Sequence, residues 1–183
     1  MVYHSLGEIF EMVEQAQTRF AASVAGLSEE QERFQPSAEQ WTIAELAEHI
    51  SVVDDQFLRL THKLLKQAEA NGVPASPGLR INPVSLTQVH ERRHEKFKAP
   101  DSAVPRGGVR VAESLAKARQ SLDSIFALRP RLEATDLSQV SYPHPAFGPL
   151  NLYEWLVLLG VHAARHQAQI EAVMASPGFP ARK

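Results

Sequence analysis

His162 and His166 stand four residues apart in one strongly apolar stretch of the chain, and His49 lies in another. At helical spacing, residues i and i+4 stack on one face with Cβ atoms about 5 to 6 Å apart, close enough for two imidazoles to ligate one cation. A third imidazole from a facing helix completes a three-coordinate protein face and leaves positions open for water or substrate, which is what a catalytic metal requires. The same spacing also fits packed, hydrogen-bonded histidines, and a chain with eight histidines forms such pairs by chance. The neighbours Gly160, Ala163 and Ala164 are small and apolar. Two unpaired imidazoles are costly to bury among them, and a metal is one remedy.

A rival metal motif is His90-Glu91-Arg92-Arg93-His94, which satisfies the H-E-x-x-H pattern of zinc peptidases. Such enzymes also need a third ligand and usually a substrate-aligning strand, for which the chain offers no candidate; a solvated charged segment explains the same residues. His62 falls on the outer face of its helix, His4 precedes the first helix and His144 sits in the loop before the last, so none is a preferred ligand. Two supporting residues carry candidate catalytic roles. Gln169, one turn beyond His166, is placed to hydrogen-bond a metal-bound water or a substrate, or else is a polar rim residue. Glu45, one turn before His49, is placed to orient an imidazole or move protons, although helix capping already explains it. Arg165 has the charge to recognise a substrate carboxylate, but its helical position turns it away from His166 and reads as solvent-facing. Gln56 and Trp155 are candidate pocket-lining residues.

The elements that must position these side chains are helical. Ser5 with Glu8, Thr42 with Glu45 and Asn151 with Glu154 each place a capping residue three positions before an acid, the mark of a helix start. Trp41 with Leu46 and Leu150 with Trp155 have the spacing of hydrophobic staples at the last two starts. Helix one carries Ile9, Phe10, Val13, Phe20, Val24 and Leu27, and helix two carries Ile43, Leu46, Ile50, Val53, Phe57, Leu60 and Leu64 in steps of three and four. Helix three lies within Val109 to Arg129, with Pro130 ending or kinking it, and helix four runs from about Leu152 to Ala175, where Pro177 and Gly178 stop it. No alternating strand pattern competes. The connection from Asn71 to Gly108 is rich in proline and glycine, with one short helix expected around Leu86 to Phe97; it reads as a surface crossover, with a lid or a dimer contact as other uses. So long a connection lets helices two and three run in the same direction, giving an all-α four-helix bundle in one domain over residues 1–183.

On these stripes His166 faces inward, with His162 and His49 at the stripe edges. At ~1.5 Å per residue, His49 lies roughly 10 Å from the start of helix two and the pair roughly 14 to 20 Å from the end of helix four. Antiparallel packing of those two helices therefore brings the three rings nearly level.

The composition narrows the function classes. With 44% hydrophobic residues in 183, the chain can bury one substantial core. Its 19 basic and 21 acidic residues are mixed along the sequence and give a formal charge of −2, which leaves no electrostatic footprint for nucleic acid. Cysteine is absent, which removes disulfides, thiolate ligands and a cysteine nucleophile, and suits a reducing compartment. Met1 to Phe10 has no basic n-region, and the longest apolar run, Trp155 to Val161, is too short to span a bilayer. These features lead us to expect a soluble cytoplasmic protein with no membrane partner.

The stretch Trp41-Thr-Ile-Ala-Glu-Leu-Ala-Glu-His49 resembles the tryptophan-to-histidine signature of the DinB/YfiT-like superfamily. His144-Pro-Ala-Phe-Gly-Pro-Leu-Asn-Leu-Tyr-Glu-Trp155, followed by His162-Ala-Ala-Arg-His166-Gln-Ala-Gln169-Ile, resembles its C-terminal signature, and Lys96 to Pro100 resembles its middle. The resemblance covers nearly the whole chain in order and spacing. It implies an up-down-down-up four-helix bundle, often dimeric, with a divalent ion such as zinc or nickel held by three histidines that fall here on His49, His162 and His166. It also implies a range of reactions. Transfer of a low-molecular-weight thiol to an electrophile is the first expectation, because a dication with neutral imidazole ligands can hold a thiolate; hydrolysis by a metal-bound hydroxide is the second, and a noncatalytic metal-binding bundle the third.

Overall fold

The computed structural model describes residues 2–75, 78–81, 91 and 98–181. Four long helices dominate: α1 (Leu6–Val24), α3 (Ile43–Ala70), α4 (Val111–Ala127) and α6 (Leu152–Met174). They are helices one to four of the sequence reading. Two short helices, α2 (Glu29–Glu32) and α5 (Arg129–Glu133), and two 3-10 turns at Asp101–Ala103 and Leu137–Gln139 fill the connections.

The expected caps are present. Thr42 and Asn151 each accept a hydrogen bond from the backbone of an acid three residues on, and that acid returns one to the cap backbone. At α1 only half of the box closes, because Ser5 accepts from Glu8 N while the Glu8 carboxylate accepts from His4 N at 2.8 Å. Ser28 and Gln31 form a further capping box at α2. Pro130 sits in the first turn of α5, where its missing N–H is no loss, so the chain turns after α4 without kinking it.

The helices pack in up-down-down-up order. Leu6 to Val13 of α1 share one core cluster with Leu152 to Val161 of α6, and Phe20 and Val24 share the other with Ile170 and Val173, so α1 and α6 run parallel. Ile43 to Ile50 lie with Val111 and Ala118, and Val53 to Ala68 with Leu122 and Ile125, so α3 and α4 also run parallel. Phe57 meets Trp155 while His49 meets His166, which makes α3 and α6 antiparallel. Gly160 lets α1 and α6 approach closely, since a Cβ there would stand 3.3 Å from Val13 Cα.

One feature departs from the sequence expectation of no strands. Ser141–His144 and Gly148–Asn151 form an antiparallel hairpin in which Tyr142 pairs with Leu150 and Pro143 with Pro149. Two prolines facing each other erase the usual strand signal, yet a two-stranded ribbon has free edges that tolerate their missing N–H groups. The expected helix around Leu86 to Phe97 and the His90 to His94 motif lie outside the described residues, apart from Glu91, which is exposed. Among the described residues no helix is long and apolar enough to cross a membrane.

Candidate metal centre

His49 on α3 and His162 and His166 on α6 come together, with a ligand-capable nitrogen of each within 4.8 Å of the others. His162 Nε2 lies 3.2 Å from His49 Nε2 and 3.1 Å from His166 Nε2. Three imidazoles around a tetrahedral zinc, with bonds of about 2.0 to 2.1 Å, would hold their nitrogens roughly 3.3 Å apart.

Two of the rings have their tautomers fixed from behind. His49 Nδ1 donates to the backbone oxygen of Ala103 at 2.6 Å, and His166 Nδ1 donates to Gln169 Oε1 at 2.7 Å. Each neutral ring therefore turns an Nε2 lone pair toward His162, which has at most one proton on its own Nε2 to offer the pair. His162 Nδ1 is buried and has no hydrogen-bond partner among the described residues, so nothing behind that ring selects its tautomer.

A proton shared among the rings is opposed by their surroundings. Burial is the largest cause holding the His49 pKa below that of a free imidazole, and it pushes His166 down to about 3. For His162 the shift is again downward, from burial first and then from the charges of His166, His49, Arg165 and His144, in that order. Three neutral imidazoles with converging lone pairs that resist protonation form a donor set matched to a divalent cation. Among the described residues no carboxylate joins the three rings, so an ion held there would keep coordination positions for exchangeable groups.

The supporting residues divide. Gln169, half-buried, accepts from His166 Nδ1 and so fixes the orientation of that ring. The Glu45 carboxylate is engaged by Thr42, accepting from its backbone N at 2.8 Å and its Oγ1 at 3.0 Å, as capping alone would require. Gln56 donates to Ser102 O at 2.9 Å. Trp155 packs against Phe57 and His144 and donates from Nε1 to Tyr142 O, which ties the hairpin to α6. Arg165 corrects the sequence reading. Its side chain is half-buried, burial lowers its pKa, and its charge is felt at all three histidines.

The sequence reading missed two neighbours of His49. Trp41, which precedes the α3 cap, packs against it in a tilted arrangement with ring centroids 5.0 Å apart. The Ala103 carbonyl is a backbone group from the crossover, and no residue type announces it.

A family model described as the DinB superfamily matches residues 12–170. The chain belongs to the DinB superfamily. Protein YuaE of Bacillus subtilis (strain 168), itself described as uncharacterized, is 28% identical to this DinB-superfamily chain over 152 residues, which cover 81% of this chain and 86% of YuaE. Two solved structures share the fold. TT2238, described as a four-helix bundle protein, aligns with a TM-score of 0.58 at 21% identity, covering 92% of this chain and 99% of its own. YfiT from Bacillus subtilis, described as a probable metal-dependent hydrolase with an unusual four-helix bundle topology, aligns with a TM-score of 0.60 at 17% identity, covering 95% and 88%.

Proposed function

We propose that this DinB-superfamily chain is a divalent-metal-dependent enzyme acting on a small molecule, with His49, His162 and His166 holding the ion through Nε2. The observation that carries the reading is the pair of acceptors behind the rings, Ala103 O and Gln169 Oε1, which turn two lone pairs onto one point beside a third imidazole. When bound, a dication supplies a Lewis acid that stabilises a thiolate or lowers the pKa of a water toward ~7.

The chain's own contribution is a largely buried, neutral set of imidazoles, two of them oriented from behind. His49 and His166 are buried, and Trp41 covers one side of His49. Arg165 adds a positive charge beside the cluster, which favours a substrate carrying a carboxylate. The chain has no cysteine, so a thiol in the reaction would enter as a co-substrate. Transfer of a low-molecular-weight thiol to an electrophile is the reaction we assign first, because a thiolate nucleophile needs no protein base once its charge is stabilised. Hydrolysis is the second reading, favoured by the description of YfiT. We assign zinc or nickel as the ion and a homodimer as the assembly.

Elemental analysis of untagged protein is expected to give one divalent ion per chain, and His166→Ala is expected to lose it while keeping the helical circular dichroism. Thiol-plus-electrophile mixtures and esters without thiol, each assayed with and without chelator, separate the two chemistries. An untagged chain that retains no divalent ion after incubation with zinc or nickel would overturn the proposal. Light scattering reads the assembly.

A further inference from the structure

Ala103 belongs to a three-residue 3-10 turn at the end of the crossover, a stretch punctuated by Pro100, Pro105, Gly107 and Gly108. So short a turn does not by itself hold a carbonyl 2.6 Å from an imidazole nitrogen. The structure shows what does. The Glu48 carboxylate, buried next to His49 in the chain, accepts the backbone N–H of Arg106 at 3.0 Å on Oε1 and that of Gly107 at 2.9 Å on Oε2. Gln56, two turns further along α3, donates to Ser102 O at 2.9 Å. The positive φ of Gly107, 79°, belongs to the conformation in which successive backbone N–H groups turn toward one anion.

The crossover end is therefore pinned to α3 on both sides of Ala103, and one of the pins is a charge-assisted pair of hydrogen bonds. We propose that Glu48 is a positioning residue for the metal centre. By clamping residues 106 and 107 it fixes the Ala103 carbonyl behind His49, which keeps the proton on Nδ1 and the lone pair on Nε2. This inference rests on the reading of the three histidines as metal ligands. It adds that the geometry of one ligand is set from a segment remote in sequence, through a buried carboxylate that touches no ligand ring. Outer partners of this kind raise ligand basicity and fix ring orientation.

The test compares Glu48→Gln, Glu48→Ala and Gln56→Ala in the full chain, with Ser5→Ala as a control that loses the α1 cap. Two readouts are used: zinc affinity by competition with a chromogenic chelator, and the ring ¹⁵N and Nδ1–H signals of His49 in metal-free protein. Glu48→Ala is expected to lower zinc affinity roughly 10- to 100-fold and to expose the His49 Nδ1–H to exchange. Glu48→Gln, which keeps one acceptor oxygen, falls less, and Ser5→Ala leaves both readouts unchanged. If Glu48→Ala does not fold, Glu48→Gln carries the test. Zinc affinity within about twofold of the parent and an unchanged His49 signal in both Glu48 variants would overturn the inference, as would an equal loss in Ser5→Ala. If the parent chain binds neither zinc nor nickel, the metal reading fails, while the His49 signal in metal-free protein still decides whether Glu48 positions the carbonyl.

Discussion

Asp54 gives the protein a pH dependence that can be calculated before it is measured. The residue lies on α3 in the bundle interior, where its Oδ2 accepts from Gln17 Nε2 at 2.9 Å and its Oδ1 has no hydrogen-bond partner among the described residues. Burial outweighs the Gln17 bond and pushes its pKa from 3.8 to about 8. The folded chain thus holds this proton more tightly than the unfolded chain does, so the stabilisation is complete below about pH 3.8, falls as pH rises, and is gone above about pH 8. Across the intervening window the loss approaches ~1.4 kcal/mol per pH unit, or about 2 to 3 kcal/mol between pH 5 and pH 7. For a chain of this size that corresponds to a fall in Tm of roughly 5 to 10 °C. Asp54→Asn keeps an oxygen for Gln17 and cannot ionise, so its melting curve should lack this component. Thermal melts of both proteins at intervals from pH 5 to pH 8, with chelator throughout, isolate Asp54 in the difference. The buried histidines contribute with opposite sign, losing stability as pH falls through their range, but they do so equally in both proteins. Parallel Tm curves for the parent and the variant would refute the reasoning.

The other predictions concern the centre and its scaffold. Gln169→Leu removes the acceptor behind His166 and is expected to weaken zinc binding about 10- to 100-fold with the fold intact, read by chelator competition. Chelation of loaded protein is expected to lower Tm by a margin that grows with free zinc concentration, since a ligand bound to the native state alone stabilises it by mass action; a Tm indifferent to zinc would contradict the assigned site. Gly160→Val forces α1 away from α6, with the added Cβ 3.3 Å from Val13 Cα, and should cost about 1 to 3 kcal/mol in urea denaturation. Asn151→Ala opens the capping box that starts α6 and should cost about 1 kcal/mol in the same assay.

The local elements were legible because their causes are local. Caps at Thr42 and Asn151 and apolar steps of three and four fixed where the long helices begin and which faces they bury. His162 and His166 had to share a helical face at that spacing, and His49 had to lie at a matching depth if α3 and α6 run antiparallel. The hairpin at Ser141–Asn151 was not legible, because its strands carry Pro143 and Pro149 and show no regular alternation of buried and exposed residues.

Everything that depends on surroundings waited for the tertiary structure. The sequence could name three imidazoles but not their protonation, because the pKa depressions come from burial by neighbouring helices. It could place Gln169 near His166 but not show that the amide faces the ring and fixes its tautomer. It turned Arg165 outward by helical angle alone, whereas packing around α6 half-covers that side chain. The acceptor behind His49 is a main-chain oxygen some fifty residues away in sequence, and a backbone carbonyl has the same chemistry in every residue, so only folding could select Ala103.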